Sequence, residues 1–220
     1  MNKSLQTTLA AFAFSAIVAD SACAQYQAPP PTAAEMEAAY TVAIDKRTTD
    51  IVAALTFSDT TKSNKIYTII IAQYRALRAR DDAAAARAKA AGKETAAAER
   101  QEQTQKLQAE FLAKLSAELT PEQIVVVKDK LTYGKLKVTY DAYCVIIPRL
   151  TDQDKAKILE LLGQARDEAI SGGSAGEKSD IFQKYKDQIN AYLNANGHDV
   201  EKAYEEWNKK QEAEAATASK

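Results

Sequence analysis

The sequence predicts an all-α protein, a multi-helix bundle with a long projecting antiparallel helical hairpin. Three observations carry that prediction. Helix-start chemistry recurs: in Leu119-Thr120-Pro121-Glu122-Gln123 the threonine can cap, the proline needs no amide hydrogen at the first helical position, and Gln123 can close a capping box. Leu55-Thr56-Phe57-Ser58-Asp59 and Leu150-Thr151-Asp152-Gln153-Asp154 repeat the device. Large apolar residues recur at helical spacing. Glycine-rich turns and alternating β-branched runs, which would mark an extracellular β-sandwich, are missing. The three starts are unequally spaced, so shared capping chemistry explains them better than a solenoid repeat.

Residues 1–24 read as a secretory signal peptide. Lys3 gives a positive start, Leu9 to Ala19 an apolar run, and Ala22-Cys23-Ala24 a cleavage site before Gln25. The run falls short of the roughly 20 residues that span a bilayer, so no membrane span is expected. Asp20, three positions before Cys23, stands where a lipoprotein signal carries a bulky apolar residue, which favours cleavage at Ala24/Gln25 over lipid anchoring at Cys23. The expected location is periplasmic or secreted. Cleavage leaves Cys144 as the sole cysteine, so no internal disulfide forms and a hydrophobic core must hold the fold. A chain of this size buries roughly 70% of its unfolded surface, enough for one domain over residues 33–210.

Residues 25–32, with Pro29-Pro30-Pro31, form an extended linker. The first helix runs from Ala33 to Ala54 and aligns Tyr40, Ile44, Ile51 and Leu55. The second starts at Thr56, carries Ile66, Ile69, Ile70, Tyr74 and Leu77, and loses its apolar stripe at Arg80-Asp81-Asp82. An Ala-, Lys-, Glu- and Gln-rich segment of high helix propensity follows to Lys106, broken only by Gly92. Leu107, Phe111, Leu112 and Leu115 restore the stripe, which sets residues 58–118 as the hairpin with its turn near Gly92. A helix from Pro121 to Leu131 stops near Gly134, and another covers Thr139 to Ile147 before Pro148. Thr151 caps a helix that aligns Ile158, Leu161, Leu162 and Ala165 until Gly172-Gly173 breaks it. The next carries Phe182, Tyr185, Ile189, Tyr192 and Leu193 and closes at Asn196-Gly197. Asp199 caps the last helix, which bears Tyr204 and Trp207, and residues 211–220 are expected to fray.

Little in the chain points to catalysis. His198 is the only histidine, so a nucleophile–histidine arrangement has no other candidate. No cysteine pair, HExxH or spaced histidine cluster suggests a metal site, and no glycine-rich loop suggests a phosphate site, so no cofactor is expected. The 29 basic and 30 acidic residues are interleaved, which leaves no basic stripe for nucleic acid. Cys144, inside Tyr143-Cys-Val-Ile-Ile147, reads as a small buried hydrophobe.

Carbohydrate recognition has better material. It uses flat rings to stack on pyranose faces and amide, carboxylate or guanidinium groups to bond hydroxyls. Tyr133, Tyr140, Tyr143 and Trp207 offer rings; Arg149, Arg166 and Asn190 offer polar partners. Tyr133 leads, because a ring beside Gly134 in a helix-to-helix turn can project outward. Each ring also fits ordinary core packing, since aromatic stripes at helical spacing usually pack.

Leu119-Thr-Pro-Glu-Gln, Val127-Lys128-Asp129, Leu131-Thr-Tyr-Gly, Tyr140, Tyr143 and Ile147-Pro148-Arg149-Leu150-Thr151 occur in an order that resembles the family catalogued as domain of unknown function 3826. Ala165-Arg166-Asp167-Glu168-Ala169 and the run from Lys184 to Leu193 continue the likeness, which extends from about Ala33 to Trp207. The resemblance implies an exported bacterial protein that binds sugar, and the scarcity of catalytic residues adds the expectation that it does so without catalysis. Leu119-Thr-Pro-Glu-Gln alone also resembles the Leu-Thr-x-x-Gln segments of periplasmic chaperones and stress-sensing adaptors of the Spy and CpxP type. That alternative implies a protein partner along the hairpin, although the neutral charge departs from the basic cradle of such proteins. A glycan-active hydrolase using two of the many carboxylates is the third option.

Overall fold

The computed structural model describes residues 30–218. The signal peptide at 1–24, Cys23 and most of the proline-rich linker lie outside the described residues. Among those described there are eight helices and no strand. In chain order they are α1 (Ala33–Ala53), α2 (Thr60–Ala91), α3 (Lys93–Ser116), α4 (Pro121–Leu131), α5 (Lys135–Ile146), α6 (Asp152–Ala169), α7 (Ala175–Ala195) and α8 (Val200–Ala218). The all-α fold follows from the sequence as expected.

Three starts are full capping boxes: Thr32 with Glu35, Thr120 with Gln123, and Thr151 with Asp154. In each, the threonine hydroxyl accepts the N3 amide while the N3 side chain accepts the cap's own amide, so two orphan donors are satisfied locally. The second helix departs from expectation. Thr56 has φ +49, incompatible with the extended backbone of an N-cap, and Asp59 caps instead, its carboxylate accepting the Thr61 amide at 2.7 Å. Helix α5 begins at Lys135, earlier than predicted, because the backbone turn at Gly134 starts it without any side-chain cap.

Two apolar clusters hold the helices. The first gathers Ile51 and Leu55 from the α1 end, Ile66 and Ile70 of α2, Phe111 and Leu115 of α3, and Val127 and Leu131 of α4. The second gathers Tyr143 and Ile146 of α5, five residues of α6, Phe182, Ile189 and Leu193 of α7, and the start of α8. Each fully buried Ile or Leu contributes roughly 1.5–3 kcal/mol by leaving water.

Helices α2 and α3 lie side by side from Gly92, with Arg87 paired to Glu99, Arg80 donating to Thr104 at 2.9 Å, and Arg100 donating to Asp81 at 2.8 Å. They do not stand free at this level. The Arg80 Nη1 also donates to the Ser171 carbonyl at 2.8 Å, and Arg100 forks onto Glu177 at 2.8 and 2.9 Å. Glu177 in turn accepts the Gly173 amide at 2.8 Å. A Cβ at Gly173 would overlap the Asp81 carboxylate, so a larger residue there would displace that carboxylate from Arg80 and Arg100. Beneath the turn, Lys178 is buried and donates to the Ala169 carbonyl at 2.9 Å. Burial lowers its ammonium to about 8.

Cys144 corrects another expectation: it is exposed. The apolar run around it is read at helical phase, so α5 turns Tyr143, Ile146 and then Ile147 inward and leaves Cys144 and Val145 outside.

Candidate functional site

A cleft of about 540 Å³ opens where α1, α2 and α4 meet the α4–α5 turn. Helix α1 supplies Arg47 and Asp50, α2 supplies Tyr74, α4 supplies Asp129 and Lys130, and the turn supplies Tyr133.

The turn is built by backbone bonds. The Tyr133 amide donates to the Lys130 carbonyl at 3.1 Å and the Gly134 amide to Asp129 at 2.8 Å, the pair of bonds that closes a Schellman motif. Its left-handed position is occupied by Tyr133, at φ +60. Glycine usually stands there, and a side chain with a Cβ costs about 1–2 kcal/mol in that conformation. The conformation throws the ring outward: Tyr133 is 43% exposed while Leu131 and Thr132, just before it, are buried. The Arg47 guanidinium carbon lies 5.5 Å from the ring centroid, within reach of a cation–π attraction.

The walls are fixed from behind. Asp129 accepts from Arg166 at 3.0 Å, Arg166 also reaches Asp167 at 3.3 Å, and Lys128 pairs with Asp167 at 3.0 Å. These bonds cross from α4 to α6 and hold the end of α4 in place. Tyr74 is partly buried, and burial pushes its hydroxyl up to about 12 against the pull of Arg47, so it stays protonated and able to donate across the physiological range. The Tyr74 carbonyl accepts from Tyr40, whose ring lies 4.2 Å from the Arg78 guanidinium carbon.

The seven residues singled out from the sequence do not converge. Only Tyr133 lines this cleft; Arg166 stands behind its wall with 14% of its side chain exposed. Tyr143 has no accessible surface, because α5 turns it into the second cluster, where its hydroxyl donates to Asn190 Oδ1 at 2.7 Å. Both are thereby occupied by each other, and burial drives the Tyr143 hydroxyl well above its usual range. Tyr140 and Trp207 are partly buried against the same cluster. A hydrogen bond with Cys144 raises the Tyr140 hydroxyl. Arg149, exposed and at φ +64, lines a second hollow of about 510 Å³ with His198 and Lys202. There His198 Nε2 lies 3.1 Å from Asp154 Oδ2. Asp154 is buried in its capping box, and the Thr151 hydroxyl bond holds its carboxyl below the usual range. This pair ties the α7–α8 turn to the start of α6, and neither serine nor cysteine lines the hollow to serve as a nucleophile.

Sequence reasoning missed Arg47, Asp50, Tyr74 and Lys130. A signal existed for Arg47. It lies between Ile44 and Ile51, one residue from the buried Thr48, so a charged side chain borders the apolar face of α1 where water would otherwise be excluded.

Residues 41–213 match a family described as a protein of unknown function, DUF3826. The chain belongs to the DUF3826 family. No curated protein matches the sequence. In this DUF3826 protein the matched span contains every residue of the Tyr133 cleft. Among the described residues, no group of three His, Cys, Asp or Glu side chains is placed to hold a metal ion. Nor, among them, is any helix long and apolar enough to cross a membrane.

Proposed function

We propose that this chain is an exported, non-enzymatic protein that binds a carbohydrate in the Tyr133 cleft. The observation that carries the reading is a tyrosine ring presented to solvent by a strained left-handed turn, bordered by Arg47, Asp50 and Lys130. Strain of this kind persists only where the surroundings enforce it, and it collects at ligand sites. The ring offers a stacking face, the guanidinium and ammonium donate to sugar hydroxyls, and the Asp50 carboxylate accepts from them. Replacing Tyr133 with Ala weakens glycan binding by about 1–3 kcal/mol, by analogy with stacking losses for other planar ligands. Calorimetric titration reads the affinity and circular dichroism the helicity. Unchanged affinity removes the site; loss of helicity makes Tyr133 a folding residue.

A second reading, a chaperone or adaptor that engages a protein partner, has one feature in its favour. The α2–α3 pair carries a groove of about 530 Å³ whose floor includes Ala76, Ala79, Ala83 and Ala96. A holdase suppresses aggregation of an unrelated unfolding protein at stoichiometric ratio, and failure to do so removes this option.

A further inference from the structure

We infer that the Tyr133 cleft selects acidic sugars, holding a uronate carboxylate between Arg47 and Lys130 while the pyranose ring lies on Tyr133. This deepens the carbohydrate reading and rests on it.

The charges at the cleft are unequally paired. Four charged side chains line it: Arg47, Asp50, Asp129 and Lys130. Asp129 is already neutralised, because Arg166 donates to it at 3.0 Å from the side facing α6. That arginine shares its second carboxylate, Asp167, with Lys128, so the wall's charges are satisfied within the wall. The other three form no ion pair or side-chain hydrogen bond with the described residues, although Arg47 rests over the Tyr133 ring. The groups that no other side chain pairs are therefore two cations and one anion, all solvent-exposed, around an exposed ring.

A uronate fits that set group by group. Its carboxylate is a planar acceptor of one negative charge, matched to the guanidinium fork of Arg47, which is weakly hydrated and already poised at the ring. Lys130 adds a compact second charge. The C–H face of the pyranose covers Tyr133, and Asp50 accepts from its hydroxyls. A neutral sugar would leave both cations facing only hydroxyls. A phosphate dianion would bring extra charge toward Asp50 and offer the ring no apolar face.

The test titrates the full chain with galacturonate, glucuronate and mannuronate oligomers, each beside its own methyl ester, which keeps the ring and removes the charge. At least one acid binds about tenfold or more tightly than its ester, as a charge-assisted contact requires. Its affinity falls as salt rises. In the double variant Arg47→Gln with Lys130→Gln, the acid binds no better than the ester, while Tyr133→Ala weakens acid and ester alike. Equal binding of acid and ester overturns the charge selection and leaves the carbohydrate reading standing. Binding of none of these by a chain that circular dichroism shows to be folded, with none for neutral oligosaccharides either, overturns both. A tenfold preference that survives the double variant places the carboxylate elsewhere and overturns this assignment alone.

Discussion

Helices α4 and α7 end on the same hydrogen-bond pattern and place different residues in its left-handed position. At α7 the Gly197 amide donates to Asn194 at 3.2 Å and the His198 amide to Leu193 at 3.0 Å, with Gly197 at φ +87. At α4 the corresponding donors are Tyr133 and Gly134, and the residue in the same left-handed position is Tyr133 at φ +60, followed by Gly134 at φ +65. The α7 end is a plain stop, where the residue that costs least has been used. The α4 end keeps a glycine one position too late to relieve the strain. One turn is built for stability alone, and the other gives up stability to hold a ring in the open.

The largest expected effect sets the conditions for testing this contrast. Lys178 has its folded-state proton affinity lowered by burial to about 8, below the ordinary 10.5. Between those values the unfolded chain keeps a proton the folded chain has released, so stability rises with pH from about 8 to 10.5. The gain is on the order of 3 kcal/mol, and Lys178→Met removes it when urea unfolding is compared across that range. Both helix ends are therefore best compared at one fixed pH.

Next in size, Gly197→Tyr copies the α4 arrangement onto α7. A Cβ at Gly197 meets nothing within 4 Å, so the change costs only backbone strain, about 1–2 kcal/mol in denaturant unfolding. A cost near zero would mean that the left-handed position is cheap here, and the contrast between the two ends would collapse. The reverse change, Tyr133→Gly, stabilises the fold by about 1 kcal/mol and abolishes the stacking face. Greater stability together with weaker glycan binding separates a ligand-facing tyrosine from a packing one, which would lose both. Arg47→Gln is the mildest: stability moves by about 0.5–1 kcal/mol at most, the worth of an exposed cation–π contact, while uronate affinity falls.

Much of the fold was legible because its instructions are local. Thr120 and Thr151 each carry their capping partner three residues on, and their boxes form as the spacing says; the box at Thr32 follows the same spacing, although residues 25–32 read as a linker. Thr56 misled because it is taken up in the turn that ends α1, where its amide donates to the Ala53 carbonyl at 3.3 Å, a bond that a window starting at Leu55 does not contain. Cys144 misled for a related reason, since an apolar run says nothing of helical phase until the neighbouring helices choose a face. The cleft was legible only through Tyr133, whose glycine neighbour lies beside it in sequence. Arg47, Tyr74 and Lys130 arrive from three helices, and their meeting is a product of long-range packing. Tyr143 and Asn190 carry the ring and the amide that a sugar site needs, but they bond each other inside the second cluster.

Helix α6 gives the molecule its cooperativity. Ile158, Leu161, Leu162, Ala165 and Ala169 belong to the second apolar cluster, yet Ile170, which caps the same helix, is buried in the first. Neither cluster can come apart without stripping burial from a helix that the other needs. The two halves should therefore melt together, with far-ultraviolet and near-ultraviolet signals falling on one curve. A residue at a helix end thus couples the region that borders the Tyr133 cleft to the region that lies away from it.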